Sequence, residues 1–171
     1  LRYSNDRKDF RADRPLSAPF TPPLASNVVL TANPRSDDIS WNVSAVYHAK
    51  PDVNVYGRIA RGYRAPSIQG RLVFGNTLSV ADSESLISYE AGIKAYLFER
   101  RVRANLSAFY YNVSDLQVTA VGGGANFNRL LNADNAIGYG FEFDLEARPV
   151  QGLTLTAGLS YNHTEIDDPL L

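Results

Sequence analysis

Residues Glu84–Val118 read ESLISYEAGIKAYLFERRVRANLSAFYYNVSDLQV. In the first half Tyr89, Ala91, Ile93, Ala95 and Leu97 alternate with Ser88, Glu90, Gly92, Lys94 and Tyr96. The alternation stops at Glu99-Arg100. It then resumes, with Val102, Ala104, Leu106, Ala108 and Tyr110 set against Arg101, Arg103, Asn105, Ser107 and Phe109. A period of two places one set of side chains on each face of an extended strand. Two such runs joined by a tight turn predict a long β-hairpin with one apolar and one charged face.

The flanking sequence repeats this unit. Leu1 to about Phe10 reads as a strand end. Asp38–Ala49 is a predicted strand, with Ile39, Trp41, Val43, Ala45 and Tyr47 on one face. Lys50-Pro51-Asp52 is a turn, because Pro presets φ and Asp favours turns. Val53–Gly62 follows as a strand. Ala136–Pro149 sets Tyr139, Phe141, Phe143, Leu145 and Ala147 against Gly140, Glu142, Asp144, Glu146 and Arg148. Val150-Gln151-Gly152 is a short turn, and Leu153–His163 is the last strand. Three longer connections remain. Arg11–Asp37 is Pro-rich, with a possible short strand at Asn27–Thr31. Tyr63–Ser83 is the second. Thr119–Asn135, containing Gly122-Gly123-Gly124, is read as a flexible loop.

Seven strands result, and their connections alternate long and short. No helical period separates them, so the chain is all-β and antiparallel. Strands of about 10 to 13 residues exceed the usual 5 or 6 of globular sheets. They match the 9 to 11 that a tilted strand needs to cross a bilayer. Short turns on one side and long loops on the other are the pattern of outer-membrane barrels. The turns at Lys50, Glu99 and Val150 are then periplasmic, and the three long connections extracellular. Trp41, Tyr89, Tyr110, Tyr139 and Tyr161 lie on the apolar face near the long loops, as an interfacial girdle requires. Glu90, Lys94, Arg103, Glu142, Asp144, Glu146 and Arg148 face a polar lumen. Alternation by itself also fits a small soluble barrel with its charges outward.

Composition removes several function classes. The 171 residues carry a formal net charge of −1, so no basic footprint points to nucleic acid. Cys is 0, which removes disulfides, thiol nucleophiles and cysteine metal sites. No apolar run is long enough for a transmembrane helix. The absence of an initiator Met and of a signal segment leads us to expect a piece of a longer chain.

Catalytic signals are weak. His48 and His163 are far apart and lack metal-ligand spacing. Glu142, Asp144 and Glu146 share a strand face, a pattern compatible with acid–base work or Ca²⁺. Pairing with neighbouring cations, Lys94 and Arg103 among them, accounts for the same pattern. Gly122-Gly123-Gly124 lacks the Lys-Ser/Thr and following helix of a phosphate loop. No enzyme activity, metal site or cofactor is expected. Ligand-contact candidates lie in the loops: Arg61, Arg64 and Arg71 around the second, and Asn126, Asn128 and Arg129 in the third. These side chains suit hydrogen bonding to carboxylates, catecholates or sugar hydroxyls.

Three segments resemble the C-terminal barrel of TonB-dependent receptors. They are NVYGRIARGYRAPS (Asn54–Ser67), the Glu84–Val118 hairpin, and NADNAIGYGFEFDLEARPVQGLTLTAGLSYNHTEID (Asn132–Asp167). In the hairpin the resemblance rests on Glu84, Tyr89-Glu90, Gly92, Lys94, Phe109-Tyr110 and Leu116-Gln117. In the last segment it rests on Gly140, Glu142 and Gly152-Leu153. The resemblance implies a plugged barrel of about 22 strands. It also implies a separate plug domain, a short TonB-contacting box and energy from the inner membrane. Implied cargoes are ferric siderophores, haem, cobalamin, nickel complexes or oligosaccharides. The chain lacks the plug, the box and the terminal aromatic strand of that plan. The expectation is therefore that 1–171 is a partial receptor barrel, with no plug domain, in the bacterial outer membrane. Its expected partners are membrane lipid, the TonB system through the missing plug and box, and a small-molecule ligand. Two other readings stay open: a complete small outer-membrane barrel acting as anchor or adhesin, and a soluble all-β binding module.

Overall fold

A computed structural model describes residues 1–14, 28–70, 78–122 and 127–167. One antiparallel sheet of seven strands dominates it. In spatial order these are β1 (Arg2–Arg7), β4 (Arg35–Lys50), β5 (Val53–Arg64), β8 (Glu84–Leu97), β9 (Val102–Gly122), β10 (Phe127–Ala147) and β11 (Leu155–Asp167). Two small hairpins lie outside it: β2 (Phe10–Arg14) with β3 (Val28–Ala32), and β6 (Ser67–Gln69) with β7 (Ser79–Ala81). Each large strand pairs with the next large strand along the chain, across the short turns and the long connections alike. β1 and β11 occupy opposite edges and are not hydrogen-bonded to each other, so the sheet is an open arc.

Register converts the alternation of the sequence into rows across the sheet. Val43, Ile59, Tyr89, Tyr110 and Tyr139 stand side by side on β4, β5, β8, β9 and β10. Directly below come Ala45, Gly57, Ala91, Ala108, Phe141 and Tyr161, and below them Tyr47, Val55, Ile93, Leu106, Phe143 and Leu159. Most of the large side chains in these rows are exposed, Val43 at 66%, Tyr47 at 72% and Leu159 at 61% among them. The arc thus buries almost nothing on its apolar side. Rings touch within the first two rows, with Tyr89 and Tyr110 centroids 6.4 Å apart in one and Phe141 and Tyr161 6.0 Å apart in the next.

The other face carries the polar set. Tyr56 Oη donates to Glu90 at 2.7 Å, and the Lys94 ammonium lies 5.2 Å from the Tyr56 ring centroid. Glu146 accepts from Arg103 at 3.1 Å and from Arg148 at 2.9 Å. The pairing expected between Arg103 and the acidic strand is therefore present, whereas Lys94 stacks on a ring. Glycines on this face make room for aromatic rings of the next strand. A Cβ at Gly92 would meet Tyr56 Cε1 at 2.5 Å, and Gly140 lies against Phe109 in the same way. Such rings cover the backbone where glycine offers no side chain.

The short turns are joined edge to edge. Arg100 Nε donates to Asp52 Oδ1 at 2.8 Å, Tyr96 N to Asp52 O at 2.8 Å, and Arg148 N to Arg101 O at 2.8 Å. Phe98, Glu99 and Arg100 all have left-handed φ, 53°, 55° and 67°. This makes the β8–β9 connection wider than a two-residue turn.

The third long connection differs from the sequence reading. Instead of a loop over Thr119–Asn135, β9 and β10 stay paired as far as Gly122 and Phe127. Each strand is 21 residues long, about twice the span a bilayer needs. The tip at 123–126, with Gly123 and Gly124, lies outside the described residues. Within the first connection, the short strand expected at Asn27–Thr31 is observed as β3.

Candidate functional site

The outward ends of the strands hold the only tightly packed region among the described residues. Ala81, Val113, Ala133 and Ala136 are buried, together with Pro66, Ser79 and Gln117. Val113 and Ala136 face each other in register. They belong to the same alternating set as Phe109, Gly140, Ser107 and Glu142, so the packing lies on the polar face. It is made where β6 and β7 settle against the extended part of β10.

Polar side chains fasten this contact. Gln117 is 7% exposed, and its Nε2 donates to Ala65 O at 2.9 Å and Asp82 O at 2.8 Å. Its backbone N–H donates to Glu84 Oε2 at 2.8 Å. Asn132 reads Asp82 as a strand would: Asp82 N donates to Asn132 Oδ1 at 2.7 Å, and Asn132 Nδ2 donates to Asp82 O at 3.1 Å. Asn132 Nδ2 also reaches Asp115 O at 2.7 Å, where the backbone of β9 takes a left-handed φ of 57°. Ser79 Oγ accepts from Leu130 N at 2.8 Å. The bonds of Gln117 and Ser79 pair part-buried groups, those of Asn132 with Asp82 and Asp115 lie at the exposed margin of the contact, and the buried Gln117 Oε1 has no partner among the described residues.

The first connection joins the same cluster. Lys8 Nζ donates to Pro66 O, and the Phe10 ring lies against Gly70, where a Cβ has no room. On β2, Arg11 pairs with Asp13 at 3.1 Å, and that hydrogen bond and charge raise the Arg11 pKa from its ordinary value.

Of the six ligand-contact candidates, the described ones lie on different elements, Arg61 and Arg64 on β5 and Asn128 and Arg129 on β10. Arg61 forms a two-pronged ion pair with Asp38, its second nitrogen at 2.8 Å, and donates to Ile39 O at 2.7 Å. Its donors therefore tie β5 to β4. Arg64 lies 3.6 Å from Glu84 but is 58% exposed, so part of its guanidinium faces outward. Arg129 is exposed near the end of the β9–β10 hairpin, opposite Ala120. Asn128 is described through its backbone alone, opposite Val121. Arg71 and Asn126 lie outside the described residues. Among the described residues, no group of His, Asp or Glu is arranged to hold a metal ion.

Gln117, Asn132 and Asp82 had no assigned role in the sequence. The available signal was Val118-Thr119-Ala120-Val121 and Phe127 flanking five Gly-rich residues, a strand–turn–strand pattern. Reading it would have placed Gln117 and Asn132 opposite each other, as they are observed.

A family model described as TonB dependent receptor-like, beta-barrel matches residues 1–170. Among solved structures, the ferric yersiniabactin uptake receptor FyuA from Yersinia pestis superposes with a TM-score of 0.68 at 21% identity. That match covers 85% of this chain and 21% of FyuA. The FrpB iron transporter from Neisseria meningitidis gives 0.59 at 16% identity, covering 81% of this chain and 21% of FrpB. The ferric enterobactin receptor PfeA from Pseudomonas aeruginosa gives 0.55 at 16% identity, covering 94% of this chain and 31% of PfeA. The chain thus spans between about a fifth and a third of the length of these proteins.

Proposed function

Because the chain belongs to the TonB-dependent receptor β-barrel family, an outer-membrane family, we propose that it is one arc of the wall of an active-uptake receptor. The observation that carries this reading is the pair of faces. Rows of exposed apolar side chains run continuously across β4 to β11, capped by Tyr89, Tyr110 and Tyr139. In water such a surface would be an aggregation patch. Against lipid it is the required solvent-facing side, with an aromatic girdle at headgroup level. The paired charges of the opposite face then look into the lumen. The membership also weighs against a soluble module, and the open sheet against a complete small barrel.

In this reading a separate plug fills the lumen and contacts the TonB system, which supplies the energy. The cargo is a small molecule too scarce or too large for passive pores. We favour a ferric chelate, since the names of all three structural neighbours refer to iron; haem, cobalamin and oligosaccharides are the competing cargoes. The ligand meets the outward ends of the strands, where Arg64 and Arg129 present cationic donors to an anionic chelate.

The test is uptake of radiolabelled iron, supplied as catecholate and mixed-ligand siderophores, by cells that express the whole receptor. Accumulation that disappears on deletion of TonB supports the reading. Accumulation independent of TonB refutes active uptake. TonB-dependent uptake of haem or cobalamin with no uptake of ferric chelates refutes the cargo and leaves the receptor assignment standing.

A further inference from the structure

Three observations converge on the short β6–β7 ribbon. It touches β10 through Ser79 and the buried Ala81. Its base is gripped by Gln117 and Asn132 through the backbone of Ala65 and Asp82. On its other side Pro66 accepts the Lys8 ammonium, and Gly70 receives the Phe10 ring from β2. The first and third outward connections therefore meet through the second.

We propose that the β6–β7 ribbon is a keystone that locks the three outward connections into one collar, and that Gln117 and Asn132 are the residues that hold it. The chemistry favours a fixed element over a swinging lid. Gln117 is more than nine-tenths buried, and its amide nitrogen saturates two backbone carbonyls that no strand partner serves. Opening the ribbon would break these two bonds and both Asn132–Asp82 bonds at once, exchanging a set of mutually positioned partners for water. A short ribbon with little apolar area of its own ordinarily ranks among the first parts of a fold to open. Here the side-chain amides supply what its length does not. A ligand landing on any of the three connections then meets a single body, whatever the cargo is.

Hydrogen exchange on the whole receptor in lipid reads the collar alone. Gln117→Leu removes the two donated bonds and keeps the volume. The expected result is about a tenfold or greater rise in exchange over Ser79–Glu84, in line with the loss of two buried hydrogen bonds. A comparable rise is expected over Phe10–Arg14, which Gln117 does not touch. Val53–Arg58, in the barrel wall, should stay unchanged. Gly70→Val, which expels the Phe10 ring, should loosen Phe10–Arg14 while leaving Leu130 protected. An unchanged Ser79–Glu84 in Gln117→Leu overturns the role of the amide. A rise there without one over Phe10–Arg14 overturns the keystone. A rise spread equally over Val53–Arg58 also overturns it, because Gln117 would then be holding the wall. Asn132→Ala repeats the test at the second amide.

Discussion

Leu106 provides the most direct test of which face meets lipid. It is 46% exposed and stands between Ile93 and Phe143, midway along the apolar part of β9. Val102 marks the turn end of that part and Tyr110 the aromatic end. The eight residue-to-residue steps from Val102 to Tyr110, at about 3.4 Å each, run roughly 27 Å along the strand. A tilt of about 40° reduces this to roughly 21 Å across the bilayer, close to the apolar band of about 25 Å. Leu106 therefore sits near the midplane, where an arginine is costliest. Leu106→Arg should destabilise the whole receptor by about 2–4 kcal/mol in lipid. Its neighbour Asn105 is on the polar face, between Lys94 and Asp144. There an added guanidinium finds Asp144 at hand and water beside it, so Asn105→Arg should stay within about 0.5 kcal/mol. Urea unfolding in phospholipid vesicles, followed by circular dichroism, measures both. Equal losses, or a larger loss for Asn105→Arg, would overturn the face assignment and with it the membrane argument.

Two further outcomes follow from contacts within the arc. Gly140→Ala should cost more than Gly138→Ala in thermal unfolding: a Cβ at Gly140 presses on the backbone carbonyl of Tyr161, whereas at Gly138 it meets the far end of the Tyr111 ring, which can swing aside. Overpacking of the first kind costs about 1–3 kcal/mol, and similar losses for the two would show that the strand backbones yield freely. Glu146→Gln should weaken both of its ion pairs, with Arg103 and with Arg148, and cost about 0.5–1 kcal/mol. Both arginines are at least half exposed, so repeating the measurement at about 1 M salt should remove most of the difference.

The wall was legible because period two survives in nearly every strand. Tyr89 and Tyr110 fall into one row because a short turn leaves register little freedom, and the long β9–β10 pairing carries the row on to Tyr139. The long strand extensions were not legible by the same rule. Above Asn112 the alternation fades, since neither side of the hairpin has a uniform solvent to face. Leu116, Val118 and Leu131 are half-buried there, in a mixed environment. The candidate site was harder still. Arg61 carries the same side chain as a ligand-binding arginine, and only the position of Asp38 across β4 shows that its donors are already engaged. Gln117 shows the converse. Leu116-Gln117 marked the family resemblance but not this role, because its partners at Ala65 and Asp82 are backbone atoms distant in the chain and carry no residue signature.

The spatial order of the large strands is also their order along the chain. Each strand therefore finds its template already built in the strand before it. Growth of the wall needs no long search, only successive closure of neighbouring hairpins, the cheapest contacts in loop entropy. At every stage one margin advances while β1 keeps the opposite edge. A wall made this way lengthens or shortens by whole hairpins without disturbing the register of what precedes it. Circumference becomes a matter of how many times a simple step is repeated.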